Sequence, residues 1–593
     1  MTCVIGLRGP LDGLPNHATR LTRRAKHRQY TIIAASWFGT RRQARHAMKK
    51  PSRRDAGIAA AALSAEAPVT LKLDNAPMSD IAHALARGQV TATALTKAYL
   101  ARIEAYDRNG PMLNSVRAIN PDALGIAGKL DDAKPSARRP LAGIPILVKD
   151  NIATGDKQPT TAGSLALEGA SAKRDATVVK LLRKAGAVIL GKANLTEFAN
   201  ILATDMPAGY SSLGGQVKSP YAPALMDDRG IPVVPPGGSS AGSAVAVAAG
   251  LCAASIGTET SGSLLYPASQ NGLVTVKPTV GLVSRAGIVP IAHSQDTAGP
   301  MTRTVRDAAM LLNVLAAEDP LDPATERQRR PADYTADLAT DAMKGARIGV
   351  PSDPADPLND RYYGKLPPRS AKAMADAIKV LEDLGAVIVR ANMPTPGWIG
   401  GPGTSMNVLN RNPLSRNRGN LATPPIVFLY ELKRDLNLYL RDWATNTEMK
   451  TMADIVAFNE ANAEMALRFG QDLFLAANMT RGDLSEREYK SARAMDLLSA
   501  KTRGMDAYMN QHKLDAVMFP GAAGCVISAK AGYPSVMVPG GFISGADDKD
   551  TPDYPLGVTF AGRAWSEHKL LRLAYAYEQA TNMRKPPPGL PAL

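Results

Sequence analysis

Apolar residues along this chain fall into short unbroken runs separated by amphipathic stretches, a pattern that predicts strands alternating with helices. The run at 144–148, Ile-Pro-Ile-Leu-Val, ends abruptly at Lys149-Asp150. Residues 177–184 have helical spacing and are stopped by Gly186 before a second apolar run at 187–190. The same helix, glycine, strand unit recurs at 373–384, Gly385 and 386–389. Runs at 516–519 and 535–538 are each closed by Pro-Gly, and 566–580 predicts a long amphipathic helix. Nearer the start, Ser79 is the expected N-cap of a helix through Ile81 and Leu85, and 93–106 is a second amphipathic stretch. Continuous apolar strands mark a sheet buried on both faces. The expected class is therefore α/β, a large central β-sheet covered by helices on both faces.

Composition supports a globular body and relocates its charge. The 593 residues are 45% hydrophobic and 21% charged, with a formal net charge of +16. Residues 1–54 hold 13 Lys and Arg and one acid, Asp12, for +12; the other 539 residues carry only +4. A basic groove for nucleic acid is thus not expected in the body. Cys3, Cys252 and Cys525 lie too far apart for a zinc or redox spacing. The seven histidines (His17, His27, His46, His83, His293, His512, His568) form no HxH or HxxxH pair, so no metal site is expected.

The basic segment 1–67 reads as disordered. Residues 1–47 have the composition of a targeting segment, a disordered tail, or sequence upstream of a misassigned start, and Met48 points to the last. From Met48, a basic start with Arg53-Arg54, a short apolar stretch at 56–63 and Ala65-Glu66-Ala67 resemble a twin-arginine export signal, which implies a periplasmic or exported protein. A plain disordered tail on a cytoplasmic protein is the alternative. A chain beginning near Ala67 is expected to fold and keep full activity. Residues 318–344, rich in charge and proline, and 394–423, rich in Gly, Pro and Asn, read as surface insertions into one domain over 68–584, the second suited to loops over a pocket. The tail 585–593, with three consecutive prolines, reads as extended and dispensable.

The strongest anomaly is central. Between Arg229 and Lys277 lie 47 residues with a single charge, Glu259. Pro235-Pro236-Gly237-Gly238 and the dominance of Gly, Ala and Ser argue against a membrane span, which needs roughly 20 strongly apolar residues. What remains is a core with many hydroxyls, which must find partners in a hydrogen-bonded network.

Within it stand Gly237-Gly238-Ser239-Ser240-Ala241-Gly242-Ser243, an Ala/Val-rich helix, and Gly257-Thr258-Glu259-Thr260-Ser261-Gly262-Ser263. These two glycine-serine turns, with a strand-end lysine upstream, resemble the amidase signature family of serine amide hydrolases. The likeness covers most of 75–318, with a core at about 140–318, and continues in Lys277-Pro278-Thr279 and His293-Ser294-Gln295-Asp296-Thr297. It returns weakly at 514–520 and 532–540.

The resemblance implies the amidase-signature fold with a large mixed central sheet, and hydrolysis of a carboxylic amide through a serine acyl-enzyme. It makes Ser263 the nucleophile, Ser239 the bridging serine after a cis peptide, and Lys149 the ultimate base. Thr260, Ser261, Gly262 and Ser263 would supply oxyanion-hole amides. A lysine can act as base when neutral, and burial at the end of an apolar strand favours the neutral form. Ser240 is adjacent and could bridge instead. Thr258 is expected to support the turn, Asp296 to orient the turns or cap a loop, and His293 to be structural. No cofactor or metal is implied. The expected partner is a small-molecule amide, with no nucleic acid and no transmembrane segment, compatible with a homodimer.

Two departures stand out. Ser261 replaces a frequent glycine, and Leu265 a frequent arginine, which weakens the analogy to the glutaminyl-tRNA amidotransferase subunit of the same family. Two rivals remain: an esterase-like hydrolase using the Gly238-x-Ser240-x-Gly242 elbow with His512 or His568, and an amidotransferase-type subunit that works in a complex. Segments 200–236 and 394–480 are the expected substrate-selecting regions, and an apolar or aryl acyl amide is the expected substrate.

Overall fold

Eleven strands form one mixed sheet in the computed structural model, which describes residues 71–133, 139–394, 426–543 and 552–590. The strands are β1 (Val116–Ile119), β2 (Pro145–Lys149), β3 (Val188–Ala193), β4 (Ala254–Glu259), β5 (Val274–Lys277), β6 (Thr297–Thr302), β7 (Arg347–Val350), β8 (Val387–Arg390), β9 (Ala516–Pro520), β10 (Ser535–Ile543) and β11 (Tyr554–Ala561). Their order is β1-β3-β2-β4-β6-β5-β10-β11-β9-β7-β8. β3, β2 and β4 run parallel, as do β9, β7 and β8, and antiparallel pairs fill the middle. Every residue of β2, β3, β4, β5, β6 and β9 is buried, so both faces of the centre are covered. The edge strand β8 is half-exposed, as an unpaired rim must be.

The helix, glycine, strand units form where expected. Helix Thr177–Lys184 ends before Gly186 and helix Pro368–Asp383 before Gly385, both glycines in the left-handed region at φ +90° and +85°. A side chain on Gly186 would also meet the Ala142 backbone at 2.9 Å. β10 continues past its Pro-Gly to Ile543, with a register shift between Pro539 and Gly541. The stretch 93–106 becomes helix Ala92–Arg102, capped by the Thr91 hydroxyl, followed by a π-helical turn Ile103–Arg108.

One expected cap is corrected. The helix starts at Met78, so Ser79 lies inside its first turn, and the cap comes from Asp307 on helix Val305–Leu315. Its carboxylate accepts from Met78 N and Ser79 N, both at 2.8 Å. A buried carboxylate satisfies two first-turn amides at once, which a serine hydroxyl does not.

The uncharged stretch is core. Helix Ala241–Ala248 is buried at every position, and a Cβ at Gly242 would sit 2.3–2.4 Å from the Ser115 and Asn194 carbonyls. Small residues are needed because this helix lies directly on neighbouring backbone. Its hydroxyls find partners, as in Ser255 Oγ donating to Ser243 O at 2.9 Å. No described helix is long and apolar enough to cross a membrane. The excursion at 318–344 is pinned to the body by Asp319, which accepts from the hydroxyls of Thr177 and Ser284. The tail is anchored too: Leu590 is buried and Lys585 O accepts from the Tyr221 hydroxyl at 2.9 Å. The export-like segment and nearly all of the expected pocket loops at 394–423 lie outside the described residues.

Candidate active site

The last residue of β2, the turn before helix Ala241–Ala248 and β4 meet at one buried point. Lys149 Nζ lies 2.8 Å from Ser239 Oγ and 3.0 Å from Thr258 Oγ1. The peptide between Gly238 and Ser239 is cis. Burial lowers the Lys149 amine from 10.5 to about 7, while the charges of Asp296 and Glu259 act in the opposite sense. At neutral pH a large share of it is therefore an uncharged base.

Ser263 stands on the turn between β4 and helix Leu265–Gln270. It is 8% exposed, whereas Ser239 is 1% and Lys149 0%. Of the three, Ser263 is therefore the most exposed to solvent. The Ser263 carbonyl accepts from Ser240 N at 3.2 Å, which ties the two serine turns together. Ser240 is not the hydroxyl that meets the lysine. It is fully buried, donates to Thr258 O at 3.0 Å and accepts from Thr258 N at 3.2 Å. Its hydroxyl is engaged with the Thr258 backbone on both sides, whereas the hydroxyl of Ser239 faces the lysine.

The turn after β4 is held open from both ends. Glu259 Oε2 accepts from Leu264 N at 2.7 Å and Leu265 N at 3.0 Å, capping the following helix. Gly262 has φ +89°, and a Cβ there would sit 2.6 Å from the Tyr266 ring and 3.2 Å from Cys525 Sγ. Only glycine fits. Among the described residues, the amides of Thr260, Ser261, Gly262 and Ser263 donate to no acceptor. Asp296 accepts from the Thr260 hydroxyl and from Ile291 N and Ala292 N at 2.9 and 3.0 Å. It joins the turn to the 291–296 loop, and burial pushes its carboxyl up to about 6.

A cavity of about 240 Å³ adjoins this network, lined on one side by Asn151, Thr258, Thr260 and Asp296 and on the other by His293, Asp435, Tyr439 and Trp443. His293, expected to be structural, lines this cavity and is held by two carboxylates. Its Nδ1 lies 2.7 Å from Asp435 and 3.4 Å from Glu431, on helix Ile426–Asp442. Burial favours the neutral ring, but the Asp435 hydrogen bond and both carboxylates outweigh it and raise the pKa. The His293, Glu431 and Asp435 side-chain atoms that could hold a metal ion lie within 4.8 Å of one another. Glu431 also accepts from Ser294 N and the Tyr489 hydroxyl, which makes the group a clasp between loop and helix.

Sequence reasoning missed Asn151, whose Nδ2 donates to Thr258 Oγ1 at 3.0 Å. Its one signal was position, two residues beyond Lys149. It also understated Thr258, which touches the lysine directly as well as supporting the turn.

A model of the amidase family matches residues 94–571. The chain belongs to the amidase family. A probable amidase of Arabidopsis thaliana is 38% identical over 87% of this chain and 92% of its own length. The peptide amidase of Stenotrophomonas maltophilia is 40% identical, covering 86% of this chain and 98% of that one with a TM-score of 0.74. A glutamyl-tRNA(Gln) amidotransferase subunit from a Roseiflexus strain is 33% identical over 87% of this chain and 98% of its own. As an amidase with this fold, the protein is a hydrolase of carbon–nitrogen bonds in linear amides.

Proposed function

We propose that this amidase cleaves its substrate through an acyl-enzyme on Ser263, with Ser239 as bridging serine and Lys149 as ultimate base. The observation that carries the reading is the fully buried Lys149 amine, lowered to about 7 and bonded to Ser239, with Ser263 the most exposed of the three. Ser263 Oγ attacks the amide carbonyl carbon as its proton passes to Ser239 and the Ser239 proton passes to Lys149. The oxyanion is met by the unengaged amides of Thr260, Ser261, Gly262 and Ser263. Collapse breaks the carbon–nitrogen bond, and the relay runs backwards to protonate the departing nitrogen. Water then attacks the acyl-enzyme by the same route, releasing acid and restoring Ser263.

The substrate class proposed is a peptide amide or a related apolar acyl amide, supported by the 40% identity to a peptide amidase. A single domain over 68–584 would carry all of this. The test is purified protein with a dipeptide amide and an acyl p-nitroanilide, with neither glutamine nor a second chain added. Release of ammonia or nitroaniline is expected. No turnover until a partner chain is supplied would favour the amidotransferase-subunit reading.

A further inference from the structure

We propose that Asn151 is a positioning residue for this reaction: through Thr258 it turns the lone pair of the Lys149 amine towards Ser239. The inference rests on the Lys149, Ser239, Ser263 relay proposed above. A neutral amine has two N–H groups and one lone pair, and Lys149 Nζ faces two hydroxyls, Ser239 at 2.8 Å and Thr258 at 3.0 Å. Both can give a proton to that lone pair, but only Ser239 leads to the nucleophile. If Thr258 takes the lone pair, Ser239 is left accepting an N–H and hands nothing on.

Asn151 decides between them. A hydroxyl has one proton and two acceptor positions. Asn151 Nδ2 fills one acceptor position of Thr258 Oγ1 at 3.0 Å, and a Lys149 N–H on the other, also at 3.0 Å, completes both acceptor positions and leaves the Thr258 proton directed away from Nζ, the arrangement the proposal assigns. The Asn151 side chain is carried on fixed backbone. Asn151 is buried, its main-chain carbonyl accepts from Val289 N at 2.8 Å, and the next residue, Ile152, pairs with Ile288, while the side-chain Oδ1 is buried with no hydrogen-bond partner among the described residues. Thr258 is pinned in turn by the Ser240 hydroxyl on both its backbone groups. The charged groups acting on Lys149 are Asp296 and Glu259, and neither hydrogen-bonds to it. The orientation of the amine is therefore set by neutral hydrogen bonds.

The experiment compares Asn151→Leu, Asn151→Asp, Thr258→Val, Thr258→Ser and Lys149→Met in the full chain, each checked for fold by its melting midpoint. Asn151→Leu frees the Thr258 proton, so kcat is expected to fall about 10- to 100-fold with KM within about twofold. Asn151→Asp captures that proton on a carboxylate and keeps kcat at high pH. Its charge, within about 6 Å of Nζ through the shared Thr258 oxygen, raises the lysine pKa, so the acid limb of kcat/KM moves up by roughly a unit or more. Thr258→Ser should retain the activity that Thr258→Val loses. A folded Asn151→Leu enzyme with unchanged kcat, or an unmoved limb in Asn151→Asp, overturns the proposal. Activity retained in Lys149→Met would instead overturn the relay on which it rests.

Discussion

A base that works at neutral pH only because it is buried leaves a distinct pH signature. An amine of ordinary pKa 10.5 is neutral in about 0.03% of molecules at pH 7, whereas Lys149, lowered to about 7, is neutral in about half. That difference is worth roughly a thousandfold in competent enzyme, or about 4–5 kcal/mol. In the proposed relay the active form is the neutral one, so the rate falls as acid protonates Lys149. The expected kcat/KM profile is level above about pH 8 and drops tenfold per pH unit below 7, reaching about a hundredfold loss at pH 5. The chosen perturbation is Glu259→Gln. Glutamine still accepts the Leu264 and Leu265 amides through its carbonyl oxygen, but it removes a negative charge that supports protonated Lys149. The acid limb should therefore move down by roughly half a unit to one unit. The assay is hydrolysis of an acyl p-nitroanilide from pH 5 to 9 at two temperatures, because an amine's ionisation shifts strongly with temperature and a carboxyl's hardly does. A limb that ignores temperature, or that moves up in Glu259→Gln, would refute the assignment of Lys149 as the titrating base.

Two further substitutions separate chemistry from scaffolding. Ser239→Ala should abolish turnover by at least about a thousandfold with little loss of stability, while Ser240→Ala should leave the Thr258 backbone bonds unmade, cost about 1–3 kcal/mol, and, by loosening Thr258, lower activity about tenfold, far less than Ser239→Ala. Paired melting curves and initial rates check both. Gly262→Ala sets a side chain at φ +89° against the Tyr266 ring, so activity should fall at least a hundredfold with about 1–3 kcal/mol of destabilisation, read by rate and denaturant midpoint.

Local pattern carried much of the architecture. Gly186 and Gly385 marked real helix ends because only the left-handed conformation lets the chain turn straight into a strand. The strand ending at Lys149 and the small-residue helix 241–248 were readable from continuous apolar or small-residue runs, whereas Gly257-Thr258-Glu259, read as part of a glycine-serine turn, is the end of a buried strand, Ala254–Glu259. Contacts between distant parts of the chain were not readable. The carboxylate of Asp307 caps a helix 229 residues away, and a local rule pointed to Ser79 instead. Choosing between Ser239 and Ser240 as the partner of Lys149 needed the fold, since adjacent residues of identical chemistry differ only in the direction their side chains take. Asn151 was invisible for the same reason: its role depends on Thr258, 107 residues on. The cavity joins residues from 151 to 443, which no periodicity brings together.

The most direct test of the central claim is to trap the covalent intermediate. A slowly deacylating ester or a fluorophosphonate is incubated with the native enzyme, and the adduct is located by peptide mass spectrometry. A single adduct on Ser263, absent from Ser263→Ala and strongly slowed in Lys149→Met, is the predicted result. An adduct on Ser240, or labelling of Ser263 at full rate without Lys149, would contradict the account.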